Sequence, residues 1–195
     1  MSGPLATGFP LVIDSLEVRW FASGPIPPEA EAWFVALGPL GAVETRTDRY
    51  LIPTESGDLG LKIREGTVQA KQRRTSFGVR RFSPEASGAV EAWRKWTLGE
   101  AAVSPEAGWA DVVKSRRQRV KRLVGSRHAR CALELAELSV NGEPWWSVCL
   151  EASGESHASR WRALRASART WLRTAPPLPA TRAMGYPAWL RHLPD

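Results

Sequence analysis

Polar and apolar residues alternate without a break through SLEVRWF, so Ser15, Glu17 and Arg19 fall on one side of an extended chain and Leu16, Val18 and Trp20 on the other. This predicts a strand with one dry face. A helix follows in GPIPPEAEAWFVALGPLG, where Pro27 and Pro28 suit a first turn, Ala30, Trp33, Phe34 and Leu37 share a side and Gly38 can close the element. Extended segments then take over. VETRTDRYLIP runs to Pro53, ESGDLG reads as a turn, and LKIREGTVQAKQRR reads as a hairpin about Glu65-Gly66. In that hairpin Lys62 and Arg64 lie opposite Leu61 and Ile63, while Gln69, Lys71 and Arg73 lie opposite Val68 and Ala70.

The period changes at SPEASGAVEAWRKWTLGE. Ser83 as a cap, Pro84 at the first helical position and Val90, Trp93 and Trp96 near one side predict a second helix, ending at Gly99. WADVVKSRRQRVKRLVG opens with β-branched residues, which favours a strand carrying Lys114 and Arg116 on one face. HARCALELAEL and WWSVCLEA flank the turn VNGEP as a last hairpin, with Glu134 in the first arm and Glu151 in the second. An Arg-rich amphipathic helix spans Ser156 to Thr174, followed by a Pro-rich connector and a short YPAWLRHL. The expected organisation is one domain over residues 1–195, with a C-terminal helix and Pro-rich tail from about 156.

A sheet whose apolar face packs Leu16, Val18, Leu61 and Ile63 against helices has to put its charged face somewhere. If the sheet curls shut, that face lies inside, where cations close together repel by about 4 kcal/mol per pair at 4 Å and an effective dielectric near 20. A polyanion relieves that repulsion. The 195-residue chain has 27 Lys+Arg against 20 Asp+Glu, a net charge of +7, which favours nucleotides, polyphosphate or nucleic acid as partners. Surplus cations such as Arg117, Arg119 and Arg122 are expected to be solvated, as is the arginine face of the C-terminal helix.

No apolar run approaches the roughly 20 residues of a membrane span, and the N-terminus lacks the pattern of a signal peptide, so the expectation is a soluble cytoplasmic protein. Cys131 and Cys149 are then read as free thiols packed in the core. His128, His157 and His192 have no ligand-like spacing, which argues against zinc. The ten tryptophans read as packing residues rather than base-stacking platforms.

The order of these pieces resembles the CYTH superfamily, the triphosphate tunnel metalloenzymes, across nearly the whole chain. S-L-E-V-R at Ser15 to Arg19 is similar to the family's E-x-E-x-K strand, D-R-Y-L at Asp48 to Leu51 to its D-x-Y strand, and L-K-I-R at Leu61 to Arg64 to its L-R-I-R. V-Q-A-K ending at Lys71, K-S-R at Lys114 to Arg116, an acidic late hairpin ending in Glu151, and G-Y-P-A-W-L near the family's S-Y-x-x-L ending continue the likeness. The resemblance implies an α+β fold: a closed eight-stranded antiparallel barrel with helices packed outside, enclosing a triphosphate and Mg²⁺ or Mn²⁺. It implies Glu17, Glu134 and Glu151 as metal ligands, and Arg19, Lys62, Arg64, Lys71, Arg73, Lys114 and Arg116 as phosphate ligands.

Three positions depart from the pattern: Ser15 stands where the first motif glutamate belongs, and Ser147 and Cys149 where a late strand often carries acid. The expected function is metal-dependent hydrolysis of a triphosphate, either inorganic tripolyphosphate or an organic triphosphate. Two alternatives stand beside it: a non-catalytic phosphoanion-binding module with a degenerate metal site, and a nucleic-acid-binding protein using exterior basic residues.

Overall fold

A computed structural model describes residues 11–100 and 108–193. Eight antiparallel strands close into a barrel: β1 (Leu11–Ser23), β2 (Glu44–Leu51), β3 (Leu59–Arg64), β4 (Thr67–Arg81), β5 (Ser87–Glu100), β6 (Trp109–Arg122), β7 (Arg130–Val140) and β8 (Glu143–Ser153). Their order around the wall is β1-β5-β4-β3-β2-β6-β7-β8, with β1 pairing β8 to close it. Three α-helices accompany them, α1 (Pro28–Ala36), α2 (His157–Trp171) and α3 (Tyr186–Leu190). Among the described residues, no helix is long and apolar enough to cross a membrane.

Turn chemistry sets the hairpin registers. Glu65 and Gly66 both adopt positive φ, 49° and 75°, as do Asn141 and Gly142 at 53° and 82°. Such two-residue turns match the twist of antiparallel strands, so β3 pairs β4 from Arg64↔Thr67 and β7 pairs β8 from Val140↔Glu143. Register then fixes which side chains look inward. Glu17 stands opposite both Glu91 and Glu151, and Arg19 opposite Cys149, on the inner face, while Leu16, Val18 and Trp20 face out.

The outward faces of β1, β7 and β8 are the dry ones. Leu16, Val18, Leu133, Leu135, Val148 and Leu150 pack there with Phe34 of α1 and with Leu164, Ala168 and Trp171 of α2. Ser156 caps α2 reciprocally: its hydroxyl accepts from the Ser159 amide, and the Ser159 hydroxyl accepts from the Ser156 amide, each at 3.1 Å. The Trp33 indole donates to the Trp171 carbonyl at 3.0 Å and ties the helices together. Cys131 lies in this core and Cys149 on the inner wall, and both are free thiols.

Three sequence expectations are corrected. Residues 87–100 form β5, not a helix. Ser83 does accept a hydrogen bond from the Ala86 amide at 3.0 Å, as an N-cap would, but this bond tightens the turn between β4 and β5. Long-range pairing with β1 and β4 then overrides the local helical signal, which puts Trp93 and Trp96 on opposite faces of a strand. Leu61 and Ile63 are only partly buried, because the helices cover the β1, β7 and β8 side of the barrel and leave the outer face of β3 open. Arg117 and Arg119 are not simply solvated. Arg117 pairs with Glu31 of α1, and Arg119 donates to the carbonyls of Phe34 and Gly38 at 2.7 Å each, occupying groups that the end of α1 leaves free.

The short C-terminal segment YPAWLRHL contains α3, which does not lie with α1 and α2 on the outside. Residues Phe21, Tyr50, Ala110, Val112, Ala136 and Leu138 form a second core with Trp189 and Leu190, inside one end of the barrel. Phe21 stacks on Trp189 with ring centroids 4.5 Å apart, and Tyr50 on Tyr186 at 5.0 Å. The chain reaches this position by pairing Ala183 with Trp20, beyond the last residue at which β1 pairs β5. α3 is therefore the floor of the barrel.

Two glycines allow that close seat. A Cβ on Gly60 would stand 2.8 Å from Pro187 Cγ, and one on Gly57 would stand 2.8 Å from Ala188 Cβ. Gly60→Val is expected to destabilise the fold by about 1–3 kcal/mol through overpacking against the floor, read from urea unfolding. A variant as stable as the parent would show that α3 shifts freely.

Candidate functional site: a basic lumen with a floor

Above the floor lies a cavity of about 150 Å³, lined by Arg19, Arg46, Lys62, Arg64, Lys71, Lys95, Lys114 and Arg116 against two carboxylates, Glu134 and Glu151. Tyr50, Gln69 and Tyr186 complete much of the wall. Glu151 also lines a wider space of about 590 Å³ at the opposite end, with Ile13, Gln118, Val120, Arg122 and Arg130. The lumen thus opens at one end and is stopped at the other. Every cation in it stands on a strand at an inward register position, which the alternation along each strand supplies.

Three carboxylates hold the cations in place. Glu134 accepts from Arg19 at 2.8 Å, Lys114 at 2.6 Å, Arg116 at 3.1 Å and the Gln118 amide at 3.1 Å, so each of its oxygens has two donors. Burial would raise its carboxyl, but Lys114 and Arg19 hold it well below the ordinary value. Asp48, 1% exposed, accepts from Lys62 at 2.8 Å and from two nitrogens of Arg64 at 2.8 Å, with Arg46 and the Tyr50 hydroxyl behind at 3.4 and 3.3 Å. Burial again opposes ionisation, and the Arg64 hydrogen bonds and Lys62 charge win. Glu17 accepts from the Ser15 hydroxyl at 2.9 Å and pairs with Lys71.

Glu151 is the exception among these acids. It makes no side-chain hydrogen bond among the described residues, and the charge of Glu17 across the β1–β8 pair, together with burial, pushes its carboxyl above the ordinary range. The cations carry strain of the opposite sign. Burial pushes Lys114 down to about 8 despite Glu134. Burial also lowers Lys95, with Arg64 and Lys71 adding repulsion, and Lys95 stands directly opposite Lys71 in the β4–β5 register without an ion pair among the described residues.

Of the residues singled out in the sequence, Arg19, Lys62, Arg64, Lys71, Lys114, Arg116, Glu134 and Glu151 line the cavity together. Glu17 sits in the wall beside them, 5% exposed. Arg73 stands apart, paired with Asp58 and Glu91. Sequence reasoning missed Arg46, Asp48 and Tyr50 as site residues, although their spacing of two in RTDRY carries the signal. It missed Glu91 and Lys95 because the helix reading of that segment scattered their faces. Tyr186 belongs to the G-Y-P-A-W-L ending, but its place in the wall depends on where a five-residue helix docks, which that motif does not state.

At the departures, Ser15 bonds to Glu17, Ser147 accepts from Arg19 at 3.3 Å, and Cys149 lies between Arg19 and Glu134 in the cross-strand register. No protein-family model matches the chain, and no curated protein matches it significantly.

Proposed function

We propose that the lumen binds a triphosphate or short polyphosphate and that the protein hydrolyses it. The carrying observation is the surplus of charge: eight cationic side chains and two carboxylates around about 150 Å³. Buried like charges cost several kcal/mol per ion unless countered, and the intramolecular acids counter only part of them. A compact polyanion has the density of charge and acceptor oxygens to meet the rest, with Arg19, Arg64 and Arg116 offering forked donors and Lys62, Lys71, Lys95 and Lys114 offering point charges.

The resemblance to the triphosphate tunnel enzymes implies Mg²⁺ or Mn²⁺, and the residues fit that expectation in part. Among the described residues there is no group of three or more potential ligands arranged to hold a metal. Glu134 is committed to four donors and does not suit a cation. Glu17 and Glu151 do suit one, since they are adjacent across the β1–β8 pair and their mutual repulsion raises Glu151, a cost that a divalent ion between hard oxygen ligands removes. When bound, such an ion supplies charge neutralisation at phosphate oxygens and activation of water. The chain's own part is to hold the phosphates in line with its cations and to place Glu17 and Glu151, the pair that would hold the ion, beside them where the inner cavity joins the mouth.

A non-catalytic phosphoanion module is the second reading, favoured by the hydroxyl at Ser15 where a carboxylate would add a ligand. Lys62, Arg64 and Lys71 lie in a lumen stopped by α3 and so offer no open face to a nucleic acid, which leaves that reading to the exterior arginines. Tripolyphosphate is expected to raise the melting temperature, by an amount equivalent to about 2.7 kcal/mol at one hundred times Kd. Phosphate release should then require Mg²⁺ or Mn²⁺. Binding that survives EDTA without turnover under any metal would select the second reading, and no thermal shift at all would sink both.

A further inference from the structure

We propose that the Tyr186 hydroxyl donates the hydrogen bond that recognises the end of the bound phosphate chain at the floor of the lumen. This rests on the polyanion reading above and deepens it from a class of ligand to an orientation: terminal phosphoryl group down, remainder of the chain toward the open mouth.

The phenol ring is fixed before any ligand arrives. It stacks on Tyr50 at 5.0 Å with planes 7° apart, and meets Phe21 and Trp189 edge-on at 5.2 Å each. Its hydroxyl is buried and has no hydrogen-bond partner among the described residues. Buried hydroxyls are nearly always paired, so an unpaired one on a residue that lines the cavity calls for an explanation. The nearby acceptors explain why the protein itself offers nothing: both oxygens of Glu134 are taken by Arg19, Lys114, Arg116 and Gln118, and those of Asp48 by Lys62, Arg64, Arg46 and Tyr50. A new acceptor has to come from outside the chain.

The surroundings say what kind of acceptor. Arg19 and Lys114 lie over the Tyr186 ring, 5.1 and 5.6 Å from its centroid, so an anion drawn to these cations arrives beside the phenol. Burial holds the phenol protonated far above its ordinary range, which keeps it a donor. The floor matters as much as the donor. Because α3 stops the lumen, a chain cannot run past Tyr186, and the group presented to it is a terminal phosphoryl with several free oxygens rather than a bridging unit. A ring of phosphates has no such end.

The test compares linear tripolyphosphate with cyclic trimetaphosphate by calorimetric titration of the full chain in EDTA, for the parent protein and Tyr186→Phe. The substitution removes one oxygen and no hydrogen bond within the protein, so the melting temperature of the free protein should not fall. Affinity for the linear anion should fall roughly tenfold to a hundredfold, and affinity for the cyclic one should stay within about twofold. Unchanged linear affinity in Tyr186→Phe, or an equal loss for both anions, overturns the inference while leaving the polyanion reading in place. If the parent protein binds neither anion, both fall together.

Discussion

Asp48→Asn should destabilise the protein by about 3–5 kcal/mol, a large share of the roughly 5–15 kcal/mol typical of a folded domain. Asp48 joins β2 to β3 where the backbone ladder is thinnest, since those strands pair at only Arg49↔Ile63 and Tyr50↔Lys62. Its carboxylate accepts from Lys62 and Arg64 on β3 and from Arg46 on its own strand. Asparagine keeps the shape and removes the charge, which leaves three cations facing one another around a neutral amide. The pH dependence has a definite sign. Because the folded state holds Asp48 well below its ordinary value, its contribution is complete above the unfolded value of about 3.9 and is lost as pH falls from there through the folded value. Urea unfolding should therefore show the parent losing stability below about pH 4 more steeply than Asp48→Asn. A loss under 1 kcal/mol at pH 7, or parallel acid limbs, would falsify the assignment of Asp48 as the latch of this seam.

Glu17→Gln should reduce metal-dependent turnover by at least about a hundredfold while leaving most of the tripolyphosphate affinity intact. The variant should also fold, because the structure contains a substitute. With the Glu17 charge gone, Glu151 loses the repulsion that raises it and ionises more readily within the field of Lys71. One carboxylate then does the electrostatic work that two shared, and the cage of cations keeps its shape. What is missing is the second hard oxygen ligand for a divalent ion. Turnover at the parental rate in Glu17→Gln would remove this pair from the reaction. Loss of anion binding equal to the loss of turnover would instead make Glu17 a brace for Lys71.

Most of the barrel wall is legible in the chain because a period of two is a local property. SLEVRWF, LKIR, VQAK and VVKSR each state which residues share a face, and only closure of the sheet was needed to turn those faces inward. What escaped was settled at a distance. Residues 87–100 follow a helix start at Ser83 and Pro84 and space Val90, Trp93 and Trp96 as a helix face would, and they became a strand because β1 and β4 offered two ladders. That single misreading hid Glu91 and Lys95. Arg119 was placed in solvent because nothing in its neighbourhood reveals that the end of α1 returns to it. Tyr186 and Trp189 carry no pattern that distinguishes a floor from a surface helix. Their placement follows from the small side of the lumen, Gly57 and Gly60, and from a chain path set between Trp20 and Ala183.

The barrel's first strand finds its partners in the fifth and the last, so the wall cannot be complete until residue 153 has been made, nor floored until residue 190 has. Such non-local pairing belongs to folds that assemble in milliseconds to seconds rather than microseconds. Through that interval the nascent sheet has open edges, the usual point at which one chain recruits another. Here each edge carries lysines, arginines and glutamates on the face destined for the interior, charges that a neighbouring chain would have to match or desolvate before it could pair. The side chains that line the lumen of the finished barrel thus also guard the edges of its unfinished one.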